Sequence, residues 1–292
     1  MNHNRTLTIL IYILAILAAA ATLTGILSDG GDGEYLYESV RGEWVTLYGK
    51  GIYRHMSAGV AIQGIAQDYV TLFIAVPMLL LSFRQNARGS ISWRIVLLGT
   101  LGYLFVTYLF YLVMAMYNAL FLVYSALCGI SFFGLMMVAL SFNRNGLLAV
   151  LNRIRYAVFG AWFLIINSLT IAMLWLSMVL PPLADGSIYP KALEHYTTLI
   201  VQGIDLALLL PLSFISGSLL LKKIPLGYLM TPAYLVFLSL LMTALVAKLV
   251  YLGIKGYSVM PAIYIIPLLT LVSITGSILF LIDIKKDHTH LE

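Results

Sequence analysis

Two aspartates, Asp68 and Asp205, stand several residues inside otherwise apolar runs, and no other residues in the chain are as well placed to do chemistry. An ionised carboxylate deep in a bilayer costs about 3 kcal/mol or more unless it is paired, hydrated or protonated. Each aspartate is therefore a candidate for proton exchange or cation binding. The competing reading makes each a hydrogen-bonded tie to a neighbouring helix. Gln63, Gln67 and Thr71 recur at i, i+4 and i+8 and share one helix face, with Asp68 beside it. His195, Thr198, Gln202 and Asp205 recur at i, i+3, i+7 and i+10 and form a second face. Turned toward each other, these faces would line a polar cavity opening outward. Thr100, Tyr103, Thr107 and Tyr111 make a third stripe, and a tyrosine at bilayer depth needs a hydroxyl partner such as a carboxylate. The candidate substrate- or ion-binding set is thus Asp68, Asp205, Gln63, Gln67, Gln202, Tyr103, Thr107 and Tyr111. Asn167, Ser168 and Thr170 carry a weaker signal of the same kind.

The elements that position these residues must be membrane helices. Of 292 residues, 61% are hydrophobic and 10% charged, far too few charges for the roughly 25% that covers a soluble domain. A bilayer core takes about 20 apolar residues per helix. The runs predict eight spans, near 7–27, 60–83, 94–115, 118–142, 156–180, 198–221, 228–252 and 260–284. The third and fourth are separated only by Tyr117-Asn118, which predicts a tight helical hairpin. The fold class is an all-α integral membrane protein. Pro77, Pro211, Pro232 and Pro267 fall inside spans and predict kinks.

Basic residues orient the bundle. With the N-terminus inside, the inner segments hold Arg5, Arg84, Arg88, Arg94, Arg144, Arg153, Arg155, Lys222, Lys223, Lys285 and Lys286, most of the 17 bases in the chain. The positive-inside rule then gives N-in, C-in. The net charge of +5 is explained by a lipid surface and asks for no nucleic acid. The expected location is the cytoplasmic (inner) membrane of a prokaryote, with the bilayer as constant partner. An N-terminal signal peptide is the alternative for the first run, which is longer than the usual signal core of about 7–15 residues.

Two outer segments are long, 28–59 and 181–197. The first opens on Ser28-Asp29-Gly30-Gly31-Asp32-Gly33 and continues through Tyr35, Tyr37, Trp44, Tyr48 and Tyr53. These aromatics read first as interfacial anchors, with a lid over the helices as the second reading. Each long segment leads into a similar helix. One reads His55, Ile62-Gln63-Gly64-Ile65, Asp68, Pro77 and Arg84; the other reads His195, Val201-Gln202-Gly203-Ile204, Asp205, Pro211 and Lys222. This predicts two parallel four-helix repeats, residues 1–145 and 146–292, related by an axis near the membrane normal. Chance similarity in a restricted alphabet is the alternative.

Several chemistries lack their residues. His3, His55, His195, His288 and His290 lie in loops, termini or a helix mouth, so no intramembrane pair could ligate haem. There is no His-Glu-x-x-His, and Cys128 is the one cysteine, so neither a zinc cluster nor an intrachain disulfide is expected. Gly49-Lys50-Gly51 lacks the rest of a phosphate loop. No cofactor, metal or catalytic residue is predicted. Lys248, near the outer end of the seventh span, reads as a lysine that snorkels to the interface. Glu38, Glu43, Arg54 and His55 are the only outer group that could assemble an acid–base site, and solvated loop charges are the simpler reading.

Three functions fit. A small secondary transporter accounts for the repeat, the two aspartates, the prolines and the polar faces together, with a small molecule or ion as substrate. An integral membrane enzyme acting on a lipid or isoprenoid at the outer face would need a dense acid–base or metal constellation. A non-catalytic subunit of a larger membrane complex would need a protein partner and could carry its polar residues as glue.

Overall fold

Runs of about 20 apolar residues can satisfy their backbone groups in a bilayer only as helices. The computed structural model describes residues 3–142 and 156–288. Among these, eight helices are long and apolar enough to cross a membrane: α1 (Arg5–Leu27), α2 (Ala58–Asn86), α3 (Ile91–Met114), α4 (Phe121–Leu140), α5 (Ala157–Asp185), α6 (Ile200–Leu221), α7 (Pro225–Ile254) and α8 (Ala262–Ile284). The chain is therefore a multi-pass membrane protein by the length and composition of its helices. Arg144, Arg153 and Arg155, the boundary between 1–145 and 146–292, and the end of the tail with His290 lie outside the described residues.

α7 is the hub, packed against α2, α3, α6 and α8. α3 is the most enclosed span, 72% of its apolar stretch being buried, and α5 the least at 22%. The α3–α7 contact is close because Gly99 has no side chain. A Cβ there would run into the Ala233 carbonyl oxygen and Val236. Phe159, Trp162 and Ile166 on α5 and Leu268 and Leu271 on α8 point away from the bundle, as lipid-facing residues should.

Three features differ from the sequence expectation. The α3–α4 connection is longer than Tyr117-Asn118, because α3 stops at Met114 and α4 starts at Phe121. Asn118 closes that turn, accepting from Leu120 N–H through Oδ1 at 2.9 Å. A polar residue that captures backbone groups ends a helix early.

The second difference is β structure in the first long loop. Strands β1 (Tyr35–Glu38) and β2 (Trp44–Leu47) pair antiparallel, with Tyr35 opposite Leu47 and Glu38 opposite Trp44. The alternation along β2 explains it: Trp44 and Thr46 face outward while Val45 and Leu47 are buried. Ser39 holds the turn, its Oγ accepting from the N–H groups of Arg41 and Glu43.

The third concerns the two similar helices. In α2 the turn Thr71–Ala75 is π-helical, and α-helix resumes at Val76-Pro77. In α6 the turn Asp205–Leu209 is π-helical, and α-helix resumes at Leu210-Pro211. A proline ring collides with the carbonyl four residues back. Those carbonyls belong to Phe73 and Ala207, inside each widened turn, so the π turn absorbs the clash. These landmarks, and the starts of α3 and α7, lie 134 positions apart (71 to 205, 76 to 210, 91 to 225). In this register Asp68 corresponds to Gln202 and Thr71 to Asp205, whereas the Gln-Gly-Ile match pairs Gln63 with Gln202.

The two long loops meet at one end of the bundle. The Arg41 guanidinium donates to the Glu194 carbonyl at 3.1 Å and to the Tyr196 carbonyl. His195 Nε2 lies 3.0 Å from the His55 carbonyl oxygen, and Ser57 N–H donates to the Tyr196 hydroxyl.

Candidate functional site

Asp68 is brought into a cage by three elements. It lies ten residues into α2, about 15 Å along the axis at 1.5 Å per residue, and is only 2% exposed. α1 passes over it at Gly25, where a Cβ would collide with Asp68 Oδ2 and crowd the Tyr53 hydroxyl. The 3-10 turn Gly51–Tyr53 drops Tyr53 into the bundle, and its hydroxyl donates to Asp68 Oδ2 at 2.6 Å. From α3, the Tyr111 hydroxyl is 2.9 Å from Asp68 Oδ1 and 2.7 Å from the Gly64 carbonyl oxygen. One hydroxyl has one proton, so Tyr111 serves one of these acceptors at a time.

One turn further in, Gln67 Nε2 donates to the Tyr103 hydroxyl at 2.7 Å and to Thr107 Oγ1 at 3.1 Å. Thr71 Oγ1 is 3.0 Å from the same Tyr103 hydroxyl. Gln67 Oε1 and the hydroxyls of Tyr108 and Tyr124 are buried without a hydrogen-bond partner. The rings of Tyr53, Tyr111, Tyr124 and Tyr108 form a continuous stack, with centroids 6.0 Å apart for the first pair, 5.3 Å for the second and 6.4 Å for the third. A buried carboxylate ringed by oxygen atoms, several of them unpaired, can hold a proton, a water or a small cation.

The second aspartate is met by a different group. Trp175 Nε1 of α5 donates to Asp205 Oδ2 at 2.8 Å. Asp205 is half-buried rather than sealed. Lys248 of α7 is close enough to feel the charge of both carboxylates.

The stripes read from spacing meet in part. Gln67 and Thr71 meet Tyr103 and Thr107 across the α2–α3 contact, and of these stripes Tyr111 alone reaches Asp68. Gln63 instead bonds within its own helix, to the Gly59 carbonyl, and Thr100 bonds to Val96. Gln202 faces the Met178 sulfur at 3.4 Å. The outward-opening cavity expected over Asp68 is replaced by a seal, because Tyr53 fills the path and Gly25 lets α1 close over it. Tyr53, Gly25, Tyr124 and Trp175 escaped the sequence reading. Tyr53 lies in a loop with no helical period, and Gly25 has no side chain to signal a role. Lys248 was visible and read only as a lysine at the membrane interface. The first-loop aromatics divide: Trp44 is 64% exposed, while Tyr53 is 1% exposed.

Glu38, Glu43, Arg54 and His55 do not assemble. The Arg54 side chain turns back to the Gly51 carbonyl, and His55 engages His195 through its backbone. Among the described residues no three His, Cys, Asp or Glu side chains gather as a metal site. At the loop end, burial holds the His195 imidazole below its usual range, with Glu194 pulling it up and Arg41 pushing it down. Burial pushes the neighbouring Tyr196 hydroxyl up to about 12.

Compared with known protein families, curated proteins and solved structures, the chain matches none.

Proposed function

We propose that this protein is a small secondary transporter, coupled to protons through Asp68 and seen with its loop end closed. The observation that carries the reading is the caged Asp68, joined at once to a loop residue (Tyr53) and a core helix (Tyr111). Static glue between two helices needs no third donor from a loop, which Tyr53 supplies to Asp68.

The proton logic follows from the geometry. Ionised Asp68 attracts the hydroxyl protons of both tyrosines, and hydrogen bonds to a charged acceptor are roughly twice as strong as neutral ones. When Asp68 takes a proton, Tyr111 turns its hydrogen to the Gly64 carbonyl oxygen, already 2.7 Å away. Tyr53 then loses its charge-assisted bond, and the loop that carries it is released. Protonation at Asp68 thereby opens the loop end, and deprotonation latches it. Lys248 favours the ionised form of either aspartate through its charge alone.

In this reading the loop end faces outward and both termini lie inside, in keeping with the basic residues of the opposite end. The halves are two parallel repeats in the 134-residue register. That register is supported by the two matched π turns and by α3 and α7, the third span of each half, packing against each other. An enzyme is less well supported because its candidate acid–base residues are dispersed.

The test is flux. The purified protein in proteoliposomes containing a pH-sensitive dye is challenged with amino acids, sugars, organic acids and inorganic cations. One class should carry protons across in the wild type and fail to do so in Asp68→Asn, with the melting temperature kept within a few degrees. Flux that Asp68→Asn leaves intact, or none from any class, overturns the proposal.

A further inference from the structure

A second site lies at the loop end, away from Asp68. The hairpin, the second long loop and the α7–α8 connection enclose a cleft of about 410 Å³, with the start of α2 as its floor. Ligand pockets run from about 300 to 1,000 Å³, so the cleft suits a small solute. It is preformed, because the Arg41, His195 and Tyr196 contacts brace the two loops against each other.

The floor favours an anion. Ser57, Ala58 and Gly59 line it, and α2 starts at Ala58. The first N–H groups of a helix have no intrahelical partner and carry a partial positive charge. Ser57, in the capping position, makes no side-chain cap. Its Oγ is buried against the Tyr196 hydroxyl. Lys191 adds a full positive charge to the wall.

The remaining walls favour a cation. Glu43 and Glu194 line the cleft. Trp44 and Tyr257 are 64% and 41% exposed, so their rings can cover an ammonium or an alkyl side chain. Two carboxylates are set against one ammonium and a helix N-terminus, a near balance that suits neither a simple cation nor a simple anion.

We infer that this cleft binds a small zwitterion of the α-amino-acid type, its carboxylate on Lys191 and the α2 N-terminus and its ammonium between Glu43, Glu194 and the aromatic wall. The ethanolamine headgroup of a phospholipid has the same paired charges and is the other source of this chemistry.

The test is binding in nanodiscs of phosphatidylglycerol, followed by Trp44 fluorescence and calorimetry. The probes are L-leucine, glycyl-leucine, isoamylamine (no carboxylate) and N-acetyl-leucine (no ammonium). At least one of the first two should bind, and both half-analogues should bind at least tenfold more weakly. Lys191→Ala and Glu194→Gln should each weaken binding at least tenfold with the melting temperature unchanged. If only nanodiscs of phosphatidylethanolamine shift Trp44, and both variants abolish that shift, the zwitterion is the lipid headgroup. Equal binding of isoamylamine, or no response to any amino acid, dipeptide or ethanolamine lipid, overturns the inference. Binding is read without transport, so it stands or falls apart from the flux assay.

Discussion

Tyr53 and Asp68 are hydrogen-bonded at 2.6 Å although one belongs to a loop and the other to the interior of α2. This bond ties the closure of the loop end to the charge of the carboxylate. Tyr53→Phe removes the donor without changing the ring. Hydrogen bonds to charged groups contribute about 1.5–3 kcal/mol, and a loss of that order is expected in unfolding of the solubilised protein. In an Asp68→Asn background the same change should cost less. Additive losses in this double-mutant cycle would mean that the two residues are not coupled.

Gly25→Ala should be far more damaging than its size suggests. Its Cβ collides with Asp68 Oδ2 and crowds the Tyr53 hydroxyl, so α1 must move away or the carboxylate must leave its donors. Gly30→Ala, with open space around it, is the control. The expected result is a lower melting temperature and faster amide exchange in residues 51–53 for Gly25→Ala alone. Equal behaviour of the two variants would show that α1 does not seal the site.

The clasp between the loops should loosen in acid. Burial lowers the His195 value in the folded protein, against about 6.5 in the unfolded chain. A folded value below the unfolded one means the contribution is fully present above about pH 6.5 and fades as the pH falls through the folded value. The unpartnered buried Nδ1 explains the sign, since protonation would place an unsatisfied N–H there. Amide protection around 55–57 and 194–196, taken relative to the intrinsic exchange rate at each pH, should therefore fall between pH 7 and pH 5. His195→Gln, which is uncharged at both, should remove most of that loss of protection. A wild-type profile flat with pH would contradict the assignment.

Orientation is open to direct measurement. Single cysteines at 50, 191 and 255, in a background with Cys128→Ser, should react with an impermeant reagent from outside. Cysteines at 88 and 223 should react only after permeabilisation. Reaction of position 223 from outside would overturn N-in, C-in.

The amino-acid sequence by itself determined the membrane class, the number of spans and which faces of α2 and α3 are polar. Hydropathy acts over whole helices, and a 3.6-residue period puts Gln67 and Thr71 on one face of α2 and Tyr103, Thr107 and Tyr111 on one face of α3. Such periodic signals survive without knowing which helices touch. The tertiary structure decided what closes the site. Tyr53 reaches Asp68 because the 3-10 turn after the hairpin aims it downward, and Gly25 matters through the side chain it lacks. Neither property has a period or a composition to read. The same holds for Lys248, whose range to both aspartates depends on α7 standing between α2 and α6. The π turns at Thr71–Ala75 and Asp205–Leu209, each followed by a proline, are likewise visible only in the folded backbone. Short-range patterns record which face of a helix is polar, but which faces meet depends on packing among all eight helices.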